Sequence, residues 1–162
     1  MQHTARAVFA GVAGALAMSI VALAFGEVGI GVSLERLLGA LLGFEPTSQS
    51  AYGAGFVLHL MIGGWIAVLY AEGFGRISAG GWSVGAAFSL VHVVIAGFLI
   101  APMALLVSPT PSGAEYPAMF MAHQGMAGVC MFMLLHLAYG AVVGFVFQAL
   151  GTPIYFRSDV RA

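Results

Sequence analysis

Residues 52–71 read YGAGFVLHLMIGGWIAVLYA, twenty residues without an aspartate, glutamate, lysine or arginine. A helix of about this length crosses a hydrocarbon layer of roughly 30 Å, so the run predicts a transmembrane helix. Near its middle stands His59, with Gly63 four residues on, and in a helix the two share a face. The phrase recurs: Leu58-His59-Leu60-Met61-Ile62-Gly63 is matched by Leu135-His136-Leu137-Ala138-Tyr139-Gly140. Ionisable side chains inside a membrane are costly and usually face the interior of a bundle, which makes this pair the first candidate for function.

Working outward, the whole chain has the same character. Hydrophobic residues make up 61% of the 162 residues and charged residues 7%, and the mean hydropathy is +1.03. A soluble domain carries about a quarter charged residues, so this composition belongs to an integral membrane protein. Residues 7–26 form a second apolar run in which Ser19 is the only polar member. Its eight strongly inserting side chains contribute on the order of −4 kcal/mol to insertion. A cleaved signal peptide is the rival, because Arg6 precedes the run and Ala22-Leu23-Ala24 resembles a cleavage site; the run is long for a signal. Residues 82–107, with His92 and Pro102, and residues 125–150, with Cys130 and His136, give the third and fourth spans. The expected organisation is one membrane domain over residues 1–162. The chain has no lysine and a net charge of −1, which excludes nucleic acid as a partner. Cys130, the single cysteine, excludes an internal disulfide and reads as a buried, inert thiol.

Two long connections separate the spans. In the first, Leu34, Leu37, Leu38, Leu41 and Leu42 form one apolar stripe with Glu35, Arg36 and Gly39 opposite, and Ser33 is a suitable N-cap. This predicts a short amphipathic helix at the membrane surface, or a cap packed on the bundle end. The second connection, residues 108–123, is proline-rich and carries Glu115. With four spans, Arg6, Arg76, Arg157 and Arg161 fall on one side and Arg36 on the other, which places both termini in the cytoplasm.

Seventy-seven residues separate His59 from His136, and the same shift lays the first span over the third. The chain therefore reads as two repeated helix pairs, residues 5–78 and 82–155, related by an axis along the membrane normal. Counting at 1.5 Å per residue puts His59, His92 and His136 roughly 15–21 Å from the cytoplasmic edge, in one layer.

Three kinds of chemistry suit such a layer. His59 and His136 could be axial ligands of haem b, with Gly63 and Gly140 making room for the macrocycle. His59, His92 and His136 could hold a single transition metal, although no intramembrane carboxylate accompanies them in this reading. Met119, Met121 and His123 could form an outer Cu(I) site. Alternatively no cofactor is bound: the histidines are interhelical hydrogen-bond groups and the glycines packing seams, Gly140 and Gly144 forming a Gly-x-x-x-Gly. An oligomeric small-solute or proton transporter is the remaining class, since histidine relays protons. No nucleophile elbow, phosphate loop or dinucleotide fingerprint is present, so the chain is not expected to be an enzyme on its own.

The layout resembles a group of small four-helix bacterial membrane proteins of unassigned activity with His-x-x-x-Gly in the second and fourth spans. The resemblance implies a four-helix bundle in the bacterial inner membrane and no particular activity. The expected fold is therefore an all-α, polytopic membrane four-helix bundle with a short amphipathic helix in its first outer connection. The expected function is a haem- or metal-binding accessory subunit of a membrane redox assembly, in contact with the lipid bilayer and with other membrane subunits or copies of itself.

Overall fold

The computed structural model describes residues 2–27, 29–30, 33–77, 79–107 and 118–151, and within them all regular structure is helical. The elements are α1 (His3–Gly26), α2 (Leu34–Leu41), α3 (Gln49–Ile77), α4 (Trp82–Val107), a 3₁₀ turn (Met119–Gln124) and α5 (Gly125–Ala149). Four helical stretches, His3–Gly26, Gln49–Ile77, Trp82–Leu106 and Met119–Ala149, are long and apolar enough to cross a membrane. They match the expected spans, running past them mainly where polar end residues continue the helix. Glu115, Arg157 and Arg161 lie outside the described residues.

The long helices are apolar on every side, so hydropathy does not choose their buried faces; on α1 side-chain size does, while α5 buries Phe132, Leu135, Tyr139 and Phe147. On α1, Ala7, Ala10, Gly11 and Ala15 are buried while Phe9, Ile20 and Leu23 are exposed. Small residues inside and large ones outside is the arrangement expected where lipid is the solvent. Gly63 of α3 backs onto α1, where a Cβ would meet Ala15 Cβ at 2.7 Å. Gly140 of α5 backs onto α4 in the same way, with Ser89 Cβ at 2.7 Å.

These seams give the bundle an order. α1 lies against both α3 and α5, α4 lies against α5, and α3 and α4 barely touch. Their contact is an aromatic cluster toward one end, where Phe88 meets Tyr70 and Phe74 at ring distances of 5.8 and 5.2 Å. That end also holds Arg6, whose guanidinium donates to the Phe147 carbonyl at 2.9 Å, tying the start of α1 to the end of α5. Arg36 stands at the opposite end, donating to the Thr47 and Ser48 carbonyls at 2.8 and 3.1 Å.

Two expectations are corrected. Helix α2 is short and starts at a Ser33 cap that accepts the Arg36 N–H, as predicted. It does not turn Glu35 and Gly39 outward, however: both are buried against α3. Gly39 packs directly on the Ala51 backbone and Gly55 on the Glu35 backbone, so paired small residues draw α2 down beside the first turns of α3. Cys130, expected to be buried, is exposed on the outside of α5, because α5 turns Met131, Phe132 and Leu135 inward.

Candidate functional site

Above the aromatic cluster the divergence of α3 and α4 leaves an apolar cavity of about 290 Å³. Its lining includes His59, His92 and His136, one from each of α3, α4 and α5, with Met18, Met121, Phe132 and Tyr139 around them. Ile62 and Ile66 of α3 and Ile95 and Leu99 of α4 flank it, and Ile95 and Leu99 are more than half exposed. The cavity therefore has exposed side chains at its α4 flank, on the side where α3 and α4 barely touch, with Leu34 and Leu38 of α2 also in its wall.

The sequence expected the three histidines in one layer, and they share this cavity. The His92 and His136 rings stand edge to face with centroids 4.8 Å apart. His92 Nδ1 lies 3.4 Å from the Tyr70 hydroxyl. His136 is buried, and its Nδ1 is 2.8 Å from the Phe132 carbonyl. A carbonyl only accepts, so this nitrogen carries the proton and Nε2 is left as the open lone pair of the neutral ring.

His59 is held differently. Ser19 of α1 donates its hydroxyl to Glu35 Oε1 at 2.7 Å, and His59 Nδ1 is 3.2 Å from the Ser19 oxygen. With the Ser19 proton committed to Glu35, the imidazole must be the donor in the second contact. The result is a buried chain, His59 Nδ1–H to Ser19 Oγ–H to Glu35, with the Glu35 oxygen itself 3.7 Å from the ring. Ser33 donates to the other Glu35 oxygen at 3.1 Å. Burial pushes the Glu35 carboxyl up, but the adjacent His59 ring and the Ser19 hydroxyl outweigh it and leave the pKa at about 2. Glu35 is thus an anion sunk beside His59 and stabilised by two hydroxyls and an imidazole. The expectation that no carboxylate would lie among the helix-core histidines is overturned.

Gly63 lines the cavity as well as the α1 seam; Gly140 is taken up by its contact with Gly85 and Ser89 of α4. The Tyr139 hydroxyl donates to the Gly63 carbonyl at 2.6 Å and locks α5 to α3 in the cavity wall. Among the described residues no group of three His, Cys, Asp or Glu side chains is placed to hold a metal ion. Of the proposed copper ligands, Met119 is exposed and Met121 is buried in the cavity wall, while His123 Nδ1 accepts the Ala118 N–H at 3.2 Å.

The sequence reading did not assign Ser19, Ser33 or Glu35 to the site. The available signal was Ser19 itself, a lone hydroxyl in an apolar span that needed a partner when buried. Comparison with protein-family models, with curated proteins and with solved structures finds no match.

Proposed function

We propose that this chain is a multi-pass protein of the bacterial inner membrane that admits an apolar, lipid-soluble molecule sideways from the bilayer and binds it among His59, His92 and His136. The observation that carries the reading is one cavity, lined on the sparsely touching α3–α4 side by the exposed Ile95 and Leu99 and inside by the buried His59 and His136 and the half-buried His92. Ligand sites are concave, mostly apolar and carry few polar groups, and this cavity has that make-up. Arg6 and Arg76 belong on the cytoplasmic side and Arg36 on the other. The matching seams of Gly63 on Ala15 and Gly140 on Ser89 support a duplicated helix pair. The protein then acts as a ligand-holding subunit beside larger redox proteins of the same membrane.

The test is photolabelling in lipid nanodiscs with an alkyl diazirine, with the sites mapped by mass spectrometry. Labels concentrate on Ile62, Ile95 and Leu99 relative to the exposed Phe9 and Leu106, and Ala96→Phe, which fills the cavity, removes the excess. Uniform labelling of all exposed apolar residues refutes the reading.

One observation favours a second reading, haem b held axially by His59 and His136: each ring has its Nδ1 hydrogen-bonded, the arrangement that orients ligating imidazoles. Purified protein with a Soret band that disappears in both His59→Ala and His136→Ala supports it. Colourless protein that retains cavity labelling leaves the lipid-soluble ligand.

A further inference from the structure

The geometry points to His59 as a proton acceptor for a phenolic hydroxyl, with Ser19 and Glu35 as its positioning residues, so that the molecule taken up by the cavity is an apolar aromatic carrying O–H groups, as quinols do. The inference rests on the cavity being a binding site and adds the chemical class of its occupant.

A purely apolar guest would be served by a purely apolar wall. This wall instead carries imidazoles on three helices, buried on α3 and α5 and half-buried on α4, and in the two buried rings the Nδ1–H is a donor, which leaves Nε2 as the basic nitrogen of the neutral ring. An open imidazole lone pair accepts a hydrogen bond, and a ligand with one or two hydroxyls on an aromatic ring supplies what these nitrogens lack. The apolar remainder of such a ligand suits the isoleucine, leucine and methionine lining.

His59 and His136 differ in what stands behind them. Behind His136 is a neutral carbonyl, that of Phe132. Behind His59 are a hydroxyl and then a carboxylate, Ser19 and Glu35. The other titratable groups sharing the cavity with His59 are His92 from α4 and His136 and Tyr139 from α5, none of which supplies a negative charge. Glu35, from α2, is therefore the group that stabilises a positive charge arriving on His59. A base held by a hydrogen bond from its Nδ1 toward a buried carboxylate is the arrangement that favours proton uptake at Nε2.

The step balances simply. The ligand O–H bond breaks, its electron pair stays on the ligand oxygen as a phenolate, and the proton forms the Nε2–H bond of an imidazolium. The Nδ1–H remains with Ser19, and the Ser19 O–H remains with Glu35. No electron is transferred.

The probe is a 4-nitrophenol bearing an octyl chain, whose phenolate is yellow and whose phenol is not, added to the protein in nanodiscs below the probe's own ionisation range. In the native protein the probe protects Ile95 from diazirine labelling and develops the phenolate band. Glu35→Gln and Ser19→Ala retain protection but lose the bound phenolate fraction at least tenfold, and Ser19→Thr, which keeps the hydroxyl, restores it. A band of equal strength in Glu35→Gln and Ser19→Ala overturns the positioning role. Failure of the probe to protect Ile95, where the diazirine alone still labels it, overturns the phenol class while leaving the cavity reading intact. Absence of preferential labelling with the diazirine alone overturns both.

Discussion

Replacing Glu35 by glutamine tests whether the buried carboxylate holds the bundle together or only sits in it. Its carboxyl is lowered from the ordinary 4.5 to about 2, which is a differential stabilisation of the anion of about 3 kcal/mol at neutral pH. Glutamine keeps an oxygen for the Ser19 hydroxyl and loses the charge, so the expected cost is about 1–3 kcal/mol. The sign of the pH dependence follows from the depressed value. In the native protein the contribution is complete above pH 4.5 and is lost as pH falls toward 2, where the carboxyl is protonated in the folded state as well. Glu35→Gln lacks this contribution at every pH. Equilibrium unfolding in mixed micelles, followed by far-UV circular dichroism from pH 7 to pH 2, therefore gives two curves that are separated at pH 7 and converge in acid. Curves that coincide at pH 7 refute the reasoning, because they would mean that the anion gains nothing from its two serine hydroxyls and the His59 ring.

Three further outcomes follow from the packing. Gly11→Ala should destabilise by about 1–3 kcal/mol in the same unfolding assay, since its Cβ runs into the Gly63 carbonyl and overpacking costs that much; Gly53→Ala, at an open helical position, should stabilise by about 0.5–1 kcal/mol. Tyr139→Phe should lose about 1 kcal/mol through the missing bond to the Gly63 carbonyl, with cavity labelling retained. Cys130, being exposed, should take up the alkyl diazirine in nanodiscs about as readily as the exposed Met126 of the same helix, read by mass spectrometry.

The four long helices were legible because each is an uninterrupted apolar run, and runs of that length have few other fates. That His59, His92 and His136 come together at one cavity was legible from simple counting along those runs, since a helix rises by a constant step. Helix α2 was legible only in outline. Its leucine stripe identifies an apolar face but says nothing of what the opposite face meets, and a glutamate beside an arginine reads as solvated. What reverses this is a match between two distant stretches, Gly39 on Ala51 and Gly55 on the Glu35 backbone, each unremarkable alone. The partner of His59 was hidden for the same reason: the chain from His59 to Ser19 to Glu35 joins three helices, and no local pattern records it. Cys130 was misread because apolar neighbours imply an apolar environment, and for a helix in lipid the outer surface is one too.

The divergence of α3 from α4 gives the bundle a front and a back in the plane of the membrane. The α1–α5 side is closed by close-fitting small residues, including Gly14 against Tyr139 and Val143, whereas the α3–α4 side, where contact is sparse, is where the proposed entrance lies. A neighbouring membrane protein seated on the back leaves traffic with the bilayer untouched. On the proposed reading, one seated on the front closes the cavity to lipid and adds a wall of its own, so the azimuth at which a neighbour docks decides whether the histidines are supplied from the bilayer or from that neighbour.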